Sequence, residues 1–356
     1  MSKNQTEFII LPAFNGDSIL IKTFNENKDE FIILIDGGTP ATFDYSLKKK
    51  LNGISKINLL VLTHIDSDHI GGLIRFFKNS LIEKIEIDEI WINQPDSKFN
   101  QATNEKALIS VRQAENLKVL IKKKKPYSKI REITIADNIL NIKGLEFTIL
   151  SPTVEIKDKF YEVWEKDQLN LKQDALKVDI CLGTKVYSKS LKELSEIDFK
   201  PHSSINSDIY NSSSIAFVLK CPDVKLLFLA DSRAEIITES LKQLGHKIET
   251  PLEVDYVKIS HHGSLNNTSQ ELLSLIKSSN YLISTNGGTA SHKHPSRETI
   301  ARIVHKKNRD EKLLNIYTNY KVEDIKLRIG EFVNENDLEE GNWNIEHKNT
   351  FTKNDK

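Results

Sequence analysis

The segment Ile57–Leu62 (INLLVL) most constrains how this chain can fold. Its apolar run has the pattern of a strand buried on both faces, so layers must pack above and below it. It leads directly into Thr63-His64-Ile65-Asp66-Ser67-Asp68-His69, with four metal-capable side chains within six residues. Alternate residues of an extended turn project to one side, so His64, Asp66 and Asp68 can converge, with His69 opening a helix. The competing reading is a polar loop with caps for that helix, Asp68 being a good N-cap. One cap needs one such residue, not four. Imidazole with carboxylate suits zinc, manganese or iron.

Strand patterns cover Phe8–Pro12, Ser18–Thr23, Phe31–Ile35 and Lys84–Ile92, and helical spacing follows Gly71-Gly72 through Phe77. Further on, a helix is expected over Asn104–Lys122 and strands near Ile130–Ile135 and Leu145–Leu150. The last third alternates. Strands are expected at Ser214–Lys220, Lys225–Leu229, Tyr256–Ser260 and Tyr281–Ser284, and helices at Arg233–Leu244, Ser269–Ser278 and Ser296–His305. Two late strands, Leu314–Thr318 and Ile325–Ile329, complete the pattern. Strand–helix alternation around a variable middle predicts one α/β domain over residues 1–350, with an insertion at about 155–208 and a polar tail at 351–356.

Ten histidines occur, and three short loops at strand ends hold His64 with His69, His261 with His262, and His292 with His294. The apolar strand within Leu226–Ser232 (LLFLADS) ends at Asp231, which could bridge two metals or merely cap the next helix. In Val257–Ser264 (VKISHHGS), one histidine could bind metal and its neighbour move protons. Ser291–Ser296 (SHKHPS) is the weakest of these signals.

The charges balance, 50 Lys plus Arg against 50 Asp plus Glu, so a polyanion would have to be met by a local patch. Lys122–Lys125 and His305-Lys306-Lys307 are candidates, although a solvated helix end explains each as well. Only Cys181 and Cys221 occur, and the first residues carry no apolar run. A cytoplasmic protein without a membrane span is expected.

The run His64-x-Asp66-x-Asp68-His69-x-Gly71-Gly72 resembles the signature of the metallo-β-lactamase superfamily. Asp66 stands where that family usually has a second histidine. With His261-His262-Gly263-Ser264 and the later His294-Pro295, this form resembles the soluble hydrolase domain of ComEC-like competence proteins. Asn15-Gly16-Asp17-Ser18, Ile35-Asp36-Gly37-Gly38, Asn211–Ser214 and Asn315–Ile329 resemble further parts of that domain, so the likeness spans roughly 7–93 and 211–330. It implies a four-layer αββα sandwich and two divalent metal ions, Zn²⁺ or Mn²⁺. The implied ligands are His64, Asp66, Asp68, His69, Asp231 and one of His261 and His262, of which we take His262. Asp66 or Asp68 would orient a water, His261 would move protons, and His294 would be a further ligand or a proton donor to the leaving group. The third-motif histidine is missing, with Asn211 nearest and His202 a little upstream. The implied activity is phosphodiester hydrolysis on nucleic acid. A small-molecule phosphodiesterase is the alternative, acting on a cyclic nucleotide or phosphocholine ester. A metal-binding interaction subunit that docks through the 155–208 insertion is a third.

Overall fold

The computed structural model describes residues 5–95, 109–168, 189–288 and 293–355. Cys181, Ser291, His292 and the expected start of the helix at Asn104 lie outside them.

The Ile57–Leu62 run forms strand β4 (Lys56–Val61), and from Leu59 onward its side chains alternate between two apolar clusters. Leu59 and Val61 join one apolar cluster, whereas Ile57 and Leu60, with Leu62 beyond the strand, join another. Both faces are buried, as the composition of the run requires. The strands before it are β1 (Glu7–Ile10), β2 (Ile19–Phe24) and β3 (Glu30–Ile35), and β5 (Glu86–Trp91) and β6 (Lys129–Arg131) follow. The last strand of the chain, β17 (Thr350–Thr352), completes their sheet in the order β17-β1-β2-β3-β4-β5-β6. A second sheet of eight strands has the order β16-β15-β14-β12-β10-β9-β8-β7. It is built from β7 (Ile139–Ile142), β8 (Leu145–Ser151), β9 (Ala216–Lys220), β10 (Lys225–Phe228), β12 (Tyr256–Lys258), β14 (Asn280–Ile283), β15 (Leu314–Thr318) and β16 (Trp343–His347). Two short strands, β11 (Leu252–Glu253) and β13 (Ile276–Lys277), pair apart from both.

Phe8, Leu59, Trp91, Phe147 and Phe217 belong to the cluster between the sheets. The outer face of the first sheet is covered by helices Ser67–Lys78, Ile109–Lys124 and Val154–Gln168, through Phe76, Leu117 and Trp164. The outer face of the second is covered by helices Ala234–Gln243, Arg297–Val304 and Val322–Ile329, through Ile237, Ile300 and Ile325. The result is the expected four-layer αββα sandwich. Parallel pairing of β3 with β4, of β10 with β12 and of β12 with β14 points successive strand ends the same way. The loops leaving β3, β4, β10 and β12 gather at one edge, where such folds place their chemistry.

Some elements differ from expectation. Ile325–Ile329 is helical, within Val322–Ile329. Alternation of Ile325, Leu327 and Ile329 suggests a strand, but Val322, Ile325 and Ile329 pack inward at helical spacing while Leu327 is 85% exposed. The expected Ser269–Ser278 helix stops at Ser274, because Ile276-Lys277 pairs with β11. In the expected insertion, Phe160 and Trp164 of the Val154–Gln168 helix enter the first outer cluster. The expected polar tail begins with strand residues, and Phe351 is buried against Phe8. No helix among the described residues is long and apolar enough to cross a membrane.

Candidate metal centre

Chain economy after β4 sets the first half of the site. Asp36, at the end of β3 with φ +55°, accepts from the Thr63 backbone N–H at 2.8 Å and its hydroxyl at 2.7 Å. The same carboxylate lies 2.8 Å from His69 Nδ1. That contact fixes the ring and directs Nε2 toward Asp231, the orienting role a carboxylate plays behind a ligating histidine. Gly72 N–H donates to the Gly38 carbonyl at 2.8 Å, and a Cβ on Gly72 would stand 1.9 Å from the Gly37 carbonyl oxygen. Only glycine permits the helix start to press this closely on the β3 loop.

The second sheet supplies the other half. Asp231 follows β10, and His261 and His262 follow β12 with φ of +45° and +55°. These left-handed conformations turn two adjacent rings into the same space, and strain of this kind gathers at functional sites. His262 Nδ1 is 2.8 Å from the Ser284 carbonyl, and His261 Nδ1 is 3.2 Å from Asn267 Oδ1.

The halves meet at Asp231 Oδ2. Around it lie the Nε2 atoms of His69 at 3.5 Å, His262 at 3.7 Å, and His64 and His261 at 3.8 Å. Asp68 Oδ2 is 3.8 Å from His262 Nε2, and Asp66 Oδ2 is 3.8 Å from His64 Nε2. The His64, His69 and Asp231 ligand atoms lie within 4.8 Å of one another, as do those of Asp68, His69 and His262. Buried Nε2 atoms of His64, His69 and His262, together with Asp231 Oδ1, have no hydrogen-bond partner. Buried polar atoms are rarely left so, and divalent cations seated in these two groups would satisfy them. These residues therefore fit a metal.

Capping does not account for the acids. Asp66, not Asp68, is the N-cap of the Ser67–Lys78 helix, and its side chain makes no cap bond. Arg233, not Asp231, is the N-cap of the helix after β10. His294 is buried beside the cluster, its ring 5.4 Å from that of His261.

The charges are mutually dependent. Burial opposes ionisation of Asp231, but His261, His69 and His262 outweigh it and hold the carboxyl well below its usual range. Burial likewise opposes charge on His69, and Asp231 and Asp36 override it, so this ring sits well above the ordinary imidazole range. His64 is pushed well below that range by burial and by His69. Although 35% of the Asp66 side chain reaches solvent, desolvation of its carboxyl and the neighbouring Asp68 raise it to about 7. The crowded Asp66 carboxyl resists ionisation, and a cation bound beside it would relieve that.

Several contributors escape the motif. Asp17 lies 3.6 Å from His262 Nδ1 and 2.6 Å from the buried Lys258 Nζ. Both Asp17 and Asp36 sit in glycine turns that the sequence places in a hairpin, so an acid at a strand end was the available signal. Lys258 is a lysine inside an otherwise apolar strand. Asn211 donates to Asp208 at 2.8 Å, and exposed His202 gives its backbone N–H to Asn266. Asp208 itself pairs with buried Arg233 at 3.2 Å, its carboxyl raised by burial against the pull of His261.

Residues 11–167 match the family model of the metallo-beta-lactamase superfamily. The match contains His64 to His69 and ends before Asp231 and His262. Among solved structures, the chain is similar to Zn²⁺-bound PqqB from Methylobacterium extorquens. Identity is 10%, covering 97% of this chain and 99% of that one, with a TM-score of 0.44. It is also similar to a diphosphatase from the PhnP family, with 12% identity over 78% of this chain and 85% of that one, and a TM-score of 0.39. Similarity to CmlA, a diiron β-hydroxylase from Streptomyces venezuelae, covers 99% of this chain and 54% of that one, at 14% identity and a TM-score of 0.37. No curated protein sequence matches the chain.

Proposed function

We propose that the chain is a two-metal phosphodiesterase acting on nucleic acid, related to the hydrolase domain of ComEC-like proteins. The observation behind this reading is the set of partnerless ligand atoms on His64, His69, His262 and Asp231, open to solvent on the side of Asp66, Asp68 and His261. His64, His69 and Asp231 would hold one divalent ion, and Asp68 and His262 a second, with Zn²⁺ and Mn²⁺ both compatible with mixed imidazole and carboxylate donors. Bound ions would supply Lewis-acid activation of water and of the phosphoryl oxygens. The chain's own residues do the rest. Asp66, whose side chain reaches solvent at the mouth, can accept a proton from an incoming water. Asp36 and Ser284 hold His69 and His262 in one tautomer each. His261, less buried than the other rings around Asp231, is placed to hand a proton to a departing oxygen. His294 stands behind it at ring distance.

The test is turnover of single-stranded DNA, duplex DNA, RNA, cyclic nucleotides and a phosphocholine ester, each with Mn²⁺ and with Zn²⁺. Cleavage of a polynucleotide that vanishes in Asp231→Asn supports the reading. Turnover confined to a cyclic or choline diester would replace it with the small-molecule activity, and metal binding without any turnover would replace it with the interaction subunit.

A further inference from the structure

The open side of the cluster carries a feature that ligation does not use. Asn15 Nδ2 donates to Asp68 Oδ2 at 2.9 Å, which places the Pro12–Gly16 segment beside the mouth. The next residue back, Phe14, is a bulky side chain at φ +62°, a conformation that phenylalanine seldom adopts. Both of its backbone polar groups are tied down. Its N–H donates to the Tyr320 hydroxyl at 2.8 Å, and its carbonyl accepts from Asn286 at 3.0 Å. Ser46 secures the same segment by donating to the Pro12 carbonyl at 3.3 Å. Adjoining Ser46 is Tyr45, 79% exposed, its ring 6.2 Å from that of Phe14 at 60°. Two aromatic rings thus stand together on the segment whose next residue, Asn15, bonds Asp68, and the backbone carrying one of them is strained and tied down.

The cations nearest the cluster are occupied elsewhere. Buried Lys258 is paired with Asp17, and buried Arg233 with Asp208 and the Ser203 carbonyl and hydroxyl. Ring faces rather than these charges are what this rim offers a substrate. We propose that Phe14 and Tyr45 form a stacking subsite for the base next to the scissile phosphate of a single-stranded polynucleotide. This rests on the phosphodiesterase reading above and names the substrate group that the rim would select. Every base has a π-face, so the subsite recognises a nucleotide without reading its sequence. A paired base inside a duplex cannot present that face, so single strands are favoured.

The experiment compares oligothymidylate with an abasic strand of equal length and charge, by fluorescence anisotropy, in protein carrying His69→Ala to prevent turnover. One stacked base makes oligothymidylate bind about tenfold tighter. The ratio stays constant as salt rises, because salt weakens both strands through their equal phosphates. Tyr45→Ala at an exposed position, and Phe14→Asn, which suits the left-handed backbone, should each reduce the ratio, and together bring it near one. A ratio of one in the starting protein overturns the subsite, as does a ratio that survives both substitutions. If the unmutated enzyme still hydrolyses bis(p-nitrophenyl) phosphate in either of those cases, only the subsite has failed. Absence of turnover of every diester overturns the functional reading and the subsite with it. Preferred turnover of glycerophosphocholine, lost in the same two variants, would reassign the rings to a quaternary ammonium group and overturn base stacking.

Discussion

Replacing Lys258 by methionine isolates a buried charge pair that adjoins the metal cluster. Lys258 Nζ lies 2.6 Å from Asp17 Oδ2, with the two side chains 1% and 3% exposed. At an effective dielectric of about 20 the attraction at that separation is roughly 6 kcal/mol. Desolvating each ion costs several kcal/mol, so the intact pair contributes little net stability. Removing one partner is different, because Asp17 is then left as a buried charge without its counter-ion. Lys258→Met should cost about 3–5 kcal/mol. That is a large share of a typical folding stability of about 5–15 kcal/mol. Urea denaturation at neutral pH, followed by circular dichroism, reads the loss as a lower midpoint. Asp17→Asn added to Lys258→Met should recover a large part of it, because both charges are then gone. The effect should also depend on pH. Burial works to raise the Asp17 carboxyl, and Lys258, His262 and His69 outweigh it, so the group sits below its ordinary range. A depressed carboxyl contributes stability above its unfolded value, and the contribution is lost as pH falls through the folded one. Parent and Lys258→Met should therefore converge in acid. A single substitution costing under about 1 kcal/mol, the range of an exposed pair, would refute this reasoning. So would a double variant that loses the full sum of the two single effects.

Other expectations follow from single contacts. Asp231→Asn should abolish turnover and reduce metal content measured by elemental analysis, with a small change in melting temperature, since this residue is not the helix cap; a folded, fully active variant would return it to a structural role. Gly72→Ala sets a Cβ 1.9 Å from the Gly37 carbonyl oxygen and should cost at least the upper part of the roughly 1–3 kcal/mol typical of overpacking. An unchanged unfolding midpoint would count against that close approach. Lys306 is buried, donates to the Ile276 carbonyl at 2.9 Å, and is pushed by burial to about 8. Its folded value lies below its unfolded one, so the burden of burying the charge is full below pH 8 and eases as pH rises toward the unfolded value. Lys306→Met should accordingly raise the melting temperature more at pH 7 than at pH 10, and equal shifts at the two would refute the assignment.

The Ile57–Leu62 run and the strand–helix alternation made the layered architecture legible in sequence, because burial on two faces leaves few alternatives. The metal motif was legible for a related reason, since its residues crowd into one loop whose composition no cap explains. Asp17 and Lys258 were hidden because they stand 241 positions apart in sequence and their pairing depends on which strands are neighbours. The orienting role of Asp36 was hidden in the same way, its turn chemistry being visible and its partner His69 not. Lys306 looked like part of an exposed basic patch, yet it lies under the Arg297–Val304 helix end with its ammonium group 5.7 Å from the Tyr281 ring. The helix at Val322–Ile329 was misread because alternating and helical spacings overlap over so short a stretch.

The donors around Asp231 come from opposite halves of the sandwich, His64 and His69 from the loop after β4 and Asp231 and His262 from loops of the second sheet. An ion seated there would act as a clasp between halves, closing a loop of more than a hundred and fifty residues. Its affinity would then become mechanical. Any motion that parts the sheets must break coordination bonds, and neither half on its own could retain the ion. Chelation should therefore loosen the molecule along the seam between its sheets, with backbone amides of β4 and β10 exchanging sooner than those of the distant β7 edge.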